Sequence, residues 1–103
     1  MIILETSTTK KAKEFVERNL DLLGEISFVE HKRNLKNIDY QTIITGSEDT
    51  MVIDGGLTSG YQGEGTSGLI YVLEKLGVSR NEATNLVEKN TSNTHEFKVD
   101  IVS

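Results

Sequence analysis

Apolar residues recur at helical spacing in three stretches of the chain, which predicts three helices. The first covers residues 10–23 and ends before Gly24, a residue suited to a helix C-cap. The second covers residues 69–76, with Thr66 or Ser67 as its N-cap and Gly77 at its end. The third covers residues 79–89 and opens on a capping box formed by Ser79 and Glu82. The apolar positions of the three stripes are Ala12, Phe15, Val16, Leu20 and Leu23, then Leu69, Val72, Leu73 and Leu76, then Ala83, Leu86 and Val87.

Five shorter stretches with apolar runs, alternation or β-branched residues predict strands. They cover residues 1–5, 26–32, 38–45, 51–53 and 96–102. A turn at residues 46–50 joins the third and fourth stretches as a hairpin. The order is therefore β-α-β-β-β-α-α-β in a single α+β domain over residues 1–103. We expect a mixed or antiparallel sheet of four to five strands with the three helices on one face.

Charge is distributed unevenly along the chain, whose net charge is −5. Residues 1–36 carry seven Lys or Arg against six Asp or Glu, whereas residues 37–103 carry four against ten. This acidic second part argues against nucleic-acid binding, which needs basic side chains, and suits a basic protein partner. Without cysteine, a long apolar run or a signal-like start, we expect a cytoplasmic protein with no disulfide, cofactor or membrane span.

Six of the nine glycines lie within residues 54–68, between a predicted strand and a predicted helix. Glycine is costly to order, so this density indicates a special backbone path or a close approach to another group. Gly63, Gly65 and Gly68 match G-x-G-x-x-G, but no strand directly precedes them and no βαβ unit follows, which disfavours dinucleotide binding. A looser alternative is an anion site built from loop amides. A structural alternative is that the glycines only let the loop fold tightly onto the sheet.

Catalytic candidates are few. His31 and His95 are the only imidazoles, Asp54 and Glu64 are the only acids of the loop, and no nucleophile or metal motif occurs. The basic cluster at residues 31–36 is short and lacks aromatic residues, so we predict a solvated turn or an edge-strand guard rather than a phosphate contact. We therefore expect a binding protein rather than an enzyme.

From residue 60 onward the chain resembles a family of small uncharacterised proteins of bacteria, phages and plasmids. The matching residues are Gly60-Tyr61-Gln62-Gly63-Glu64-Gly65 in the loop, Leu69 and Leu73 in the helix, and Phe97-Lys98-Val99 in the last strand. Glu64 stands where the family has a small hydroxyl residue, Thr66 replaces a proline, and Ser59 replaces an aromatic residue. The resemblance implies no activity. It implies a mobile-element setting, where small acidic proteins often bind and block another protein.

Two functions follow as expectations. The first is stoichiometric, non-enzymatic binding of a protein partner, such as a component of a host defence system. The second is binding of a nucleotide or another small phosphorylated ligand by the Gly-rich loop at residues 60–68, with Tyr61 stacking on a base. An exposed strand edge would also allow a homodimer. Both functions use the same candidate residues: Gly60, Tyr61, Gly63, Glu64, Gly65, Thr66 and Ser67.

Overall fold

The structure, a computed structural model, describes residues 1–34, 39–59, 63–88 and 94–101. The described residues form five strands and three α-helices in the predicted order. The elements are β1 (Ile2–Glu5), α1 (Thr9–Asn19), β2 (Ile26–Asn34), β3 (Asp39–Gly46), β4 (Thr50–Asp54), α2 (Glu64–Lys75), α3 (Arg80–Glu88) and β5 (Thr94–Asp100). A 3₁₀ turn, Leu20–Leu23, extends α1 and is followed by Gly24 at a φ of 75°.

The strands form one mixed sheet in the order β1-β4-β3-β2-β5. β1 runs parallel to β4, and the other neighbouring pairs are antiparallel, including the predicted β3–β4 hairpin. The predicted α+β class with its mixed sheet is therefore confirmed. β1 and β5 are the two edges, and β2, with β3 and β5 on its sides, is internal.

One face of the sheet forms the core together with the helices. Alternate strand residues are buried there, as the period of two requires. They include Val29, Ile44, Met51, Ile53, Phe97 and Val99. The helices contribute buried apolar residues from the predicted stripes, namely Ala12 and Val16, Leu69, Val72 and Leu73, and Ala83 and Val87. On the opposite face Lys32 and Glu96 are exposed, whereas Val52 is buried and Ile43 is half-buried. Among the described helices, none is long and apolar enough to span a membrane.

The start of α2 differs from the prediction. The helix begins at Glu64 after Gly63 as N-cap, and no side chain caps it, so Thr66 and Ser67 lie inside the first turn instead of capping it. At α3 the predicted cap is present, because the Glu82 amide donates to Ser79 Oγ at 3.3 Å.

The basic cluster also differs from the prediction. β2 continues to Asn34, two residues beyond the predicted strand, so the first four residues of the cluster are strand and not a turn. Because β2 is internal, these residues cannot guard an edge. His31 and Arg33 point to the core face and are buried, while Lys32 between them is exposed. Residues 35–38, including the remaining lysine of the cluster, lie outside the described residues.

Candidate functional site

Two helices begin at the same edge of the sheet. β1 and β4 are parallel neighbours, so their carboxyl ends lie side by side, and the Thr6 amide donates to the Asp54 carbonyl at 2.9 Å. α1 follows β1, and α2 follows β4 through the Gly-rich stretch. This topology puts the Gly-rich stretch beside the N-terminal ends of two helices, whose partial positive charge attracts anions.

Close packing explains two of the glycines. A Cβ atom on Gly68 would collide with Thr9 Cγ2, so only glycine lets α2 approach the start of α1 this closely. A Cβ atom on Gly65 would lie 2.5 Å from Thr58 Oγ1. Hydrogen bonds position both threonines: Thr9 Oγ1 donates to the Gly56 carbonyl at 2.8 Å, and the Thr58 amide donates to the Gly65 carbonyl at 3.2 Å. These contacts support the structural alternative for Gly65 and Gly68.

A cleft of about 350 Å³ opens between the first turns of α1 and α2. Its lining residues on α1 are Thr9, Lys10, Lys13, Glu14 and Glu17, and those on α2 are Glu64, Ser67 and Gly68. The helix packing thus brings two lysines, about fifty residues away in sequence, to the Gly-rich stretch. These eight residues form the α1–α2 cleft.

Tyr71 links the two helices beside the α1–α2 cleft. Its hydroxyl donates to Glu17 Oε1 at 2.9 Å, and Lys13 Nζ lies 4.3 Å from the centre of its ring. The hydrogen bond to Glu17, together with the negative charge of that carboxylate, raises the pKa of Tyr71 above its usual value of 10.0. Lys13 is thereby held over an aromatic face, with its charge close to the cleft.

A second polar group lies in the core beneath the loop. His31 Nδ1 is 2.9 Å from Thr42 Oγ1, and His31 Nε2 is 2.9 Å from Ser59 Oγ. Arg33 donates to Ser59 Oγ at 3.5 Å. The histidine, the serine and the threonine are fully buried, and Arg33 is nearly so. These four residues form the His31 cluster.

The chemistry available to the His31 cluster is limited by burial. The Ser59–His31 distance matches that of a nucleophile and its base, but neither side chain reaches the surface. Ser59 is the last described residue before Gly60, so the cluster fixes the entry to the loop. The sequence patterns did not predict the His31 cluster. The available signal was the alternation of Val29, His31 and Arg33 on one face of a strand.

The predicted site residues differ in whether they line the cleft, are buried or lie outside the described residues. Glu64 and Ser67 line the α1–α2 cleft, and Gly63 beside them is exposed. Gly65 and Thr66 are buried, with Thr66 Oγ1 3.4 Å from Thr58 Oγ1. Gly60 and Tyr61 lie outside the described residues, so their roles stay predictions.

Glu64 is the acid–base candidate that lines the α1–α2 cleft. Asp54 does not line it and accepts a hydrogen bond from Gln41 Nε2 at 3.0 Å, in the cross-strand row that contains Lys32. The side chain of His95 lies outside the described part of the chain. Within that part, no group of three or more His, Asp or Glu residues is arranged to hold a metal ion.

Comparisons with known proteins give no relative from which a role could be transferred. No protein-family model, no curated protein and no solved structure matches this chain. The resemblance of the Gly-rich loop to the family of small bacterial, phage and plasmid proteins therefore stays a prediction.

Proposed function

We propose that this protein binds a small phosphorylated ligand in the α1–α2 cleft, stoichiometrically and without chemical conversion. One observation carries the proposal: Lys10 and Lys13 lie in the same cleft as Ser67, in the first turn of the helix that follows the Gly-rich stretch. The sequence has no Lys or Arg from residue 37 to residue 74, so the stretch itself carries no cation. The packing of α1 against α2 supplies two.

The surroundings of the lysines suit an anionic group. Lys side chains bind phosphate as point charges, and a serine hydroxyl can donate a further hydrogen bond. Both helices point their N-terminal ends, which carry partial positive charge, toward this edge. The Thr8 side chain makes no capping hydrogen bond at the start of α1, and Gly63, the N-cap of α2, has no side chain that could make one. The volume of about 350 Å³ is at the lower end of the range for small-molecule sites.

The carboxylates of the cleft restrict the ligand. Glu14, Glu17 and Glu64 share it with the two lysines, so its formal charge is −1. These carboxylates would repel a bare polyphosphate. A nucleotide fits better, because its phosphate can lie by the lysines while amino groups of its base donate to a carboxylate. A mononucleotide is therefore the preferred ligand class within this proposal.

The direct test is calorimetric titration with mononucleotides, cyclic nucleotides and inorganic phosphate. We expect one nucleotide to bind and the variant Lys10→Ala/Lys13→Ala to lose at least about 100-fold in affinity, since each of the two charge-assisted bonds contributes about 1.5–3 kcal/mol. Lys11→Ala is the matched control, because Lys11 lies on the same helix, is exposed and does not line the cleft. An equal loss in the control, or a flat titration for the whole panel at millimolar ligand, would refute the proposal.

A protein partner is the second candidate function. Its support is the excess of carboxylates over lysines in the α1–α2 cleft, together with the net charge of −6 over residues 37–103. Such a surface suits a basic segment of another protein. In the mobile-element setting that the loop resemblance implies, that protein would be a host defence component blocked by binding.

The two candidates predict opposite effects of charge changes. For a basic partner, Glu14→Lys/Glu64→Lys abolishes capture of the partner from a host lysate, whereas Lys10→Ala/Lys13→Ala leaves capture intact. Asp21→Lys/Asp100→Lys, at two exposed positions outside the cleft, changes the net charge by the same four units and serves as the control. If the double lysine variant loses capture and the glutamate variant keeps it, the protein-partner candidate is wrong.

A further inference from the structure

The two edges of the sheet present different side chains. Away from the core, β5 carries exposed charged residues in alternation: Glu96, Lys98 and Asp100. Charges of this kind discourage pairing with another strand. β1 carries Ile3 on that side, 58% exposed, with Glu5 as its one charged residue. Only the β1 edge is therefore open to strand pairing by this criterion.

The hydrogen-bonding direction along β1 follows from one contact. The Thr6 amide donates to the Asp54 carbonyl, so the peptide groups of Thr6 face β4. Successive residues in a strand alternate in the direction of their N–H and C=O groups. The peptide groups of Ile3 and Glu5 consequently face the outer edge, and no other strand in the described part of the chain pairs with them.

We propose that this edge pairs with β1 of a second copy of the chain, antiparallel, with the two-fold axis between the two Ile3 residues. In this register Ile3 faces Ile3 of the other copy, so an exposed apolar side chain covers its equivalent. Two neighbouring symmetric registers are disfavoured. The one centred on Leu4 would place the Glu5 carboxylate against Ile3, and the one centred on Ile2 would pair fewer residues of β1 with one another. The product is a continuous ten-stranded sheet across two copies.

The occupant is a second copy because the edge is complementary to itself. The outward peptide groups of Ile3 and Glu5 supply donors and acceptors that a two-fold axis matches without any other sequence. A strand of four residues buries little area, well below that of standard interfaces, so the dimer should dissociate on dilution. This inference does not rest on the proposed ligand function.

Cysteine cross-linking tests the register. The chain has no cysteine, so a single introduced thiol reports one contact. Directly opposed, hydrogen-bonded residues lie about 5.5 Å apart at Cα, within the roughly 4.4–6.8 Å that a disulfide spans. We expect Ile3→Cys to form a disulfide-linked dimer under mild oxidation at high protein concentration. Leu22→Cys, at a position 59% exposed on the 3₁₀ turn, should stay monomeric and serves as the control. Equal cross-linking of both variants, or none in Ile3→Cys, would overturn the register.

Sedimentation analysis of variants without thiols tests the dimer itself. Ile3→Lys opposes two like charges, so we expect its dimer dissociation constant to rise at least about tenfold. Leu22→Lys should sediment as the wild type does. A wild-type protein that stays monomeric at millimolar concentration, or an Ile3→Lys variant with unchanged dimerisation, would overturn the proposal. Circular dichroism of both lysine variants shows whether the fold is retained.

Discussion

At the scale of single residues, the His31 cluster shows what an internal strand requires of its polar side chains. A buried polar group is tolerated when it is hydrogen-bonded, and His31 meets hydroxyls from β3 and from the residue before the loop. The local sequence around His31 is basic and predicted a solvated turn or an edge-strand guard. Its burial depends on β5 pairing with the outer side of β2, a contact between residues more than sixty positions apart. That pairing could not be derived from the neighbouring residues.

The variant Thr42→Val tests how much the His31–Thr42 hydrogen bond contributes to the free energy of unfolding. The two side chains have nearly the same shape, so the change removes a hydrogen-bond partner of His31 without opening a cavity. We expect a loss of about 1–3 kcal/mol in the free energy of unfolding, measured by urea denaturation. Thr45→Val on the same strand, half-buried, should change that free energy by less than about 0.5 kcal/mol. Equal effects of the two changes would show that the contact contributes nothing specific.

Tyr71 gives a pH-dependent test of the contact between α1 and α2. Its pKa is raised by Glu17, so the folded state holds the phenolic proton more tightly than the unfolded state. This contribution to stability is present below the usual pKa near 10.0 and is lost as the pH rises through the folded value. We expect absorbance titration to show a phenol that ionises above pH 10.0, and Glu17→Gln to lower its pKa. A pKa that Glu17→Gln leaves unchanged would contradict the hydrogen bond.

At the scale of elements, most of the fold follows from local pattern. The helical stripes, the alternation in β3 and β5, and the cap of α3 all predicted elements that the structure contains. The start of α2 was predicted too late because Gly65 and Gly68 are poor helix formers. Both glycines are inside the helix for tertiary reasons, close contact with Thr58 and Thr9. Local propensity carries no information about such contacts.

The variant Gly68→Ala separates the effect of helix propensity on stability from the effect of close packing between α1 and α2. Helix propensity alone would stabilise α2 by up to about 1 kcal/mol, whereas the collision with Thr9 Cγ2 predicts a net loss of about 1–3 kcal/mol. Thr9→Ser removes that methyl group and keeps the hydroxyl that bonds Gly56. We therefore expect Gly68→Ala/Thr9→Ser to regain part of the lost stability in urea denaturation. A stabilised Gly68→Ala protein would show that α1 and α2 are packed less closely than described.

At the scale of the whole molecule, the candidate site arises from topology. The sequence predicted the Gly-rich stretch and its polar residues, and Glu64 and Ser67 do line the α1–α2 cleft. It did not predict the lysines, because the parallel pairing of β1 with β4 is what sets the starts of α1 and α2 side by side. The central claim is that this cleft binds a small phosphorylated ligand.

Amide chemical shifts measured during titration with the nucleotide that binds most tightly show whether the ligand lies in the α1–α2 cleft. We expect saturable shifts concentrated at Thr9, Lys10 and Lys13 on α1 and at Glu64 and Ser67 on α2, with little change along β5. The same titration of Lys10→Ala/Lys13→Ala should show these shifts only at a ligand concentration at least about 100-fold higher. Shifts that are absent, that centre on the open face of the sheet, or that persist unchanged in the double variant would contradict binding in this cleft.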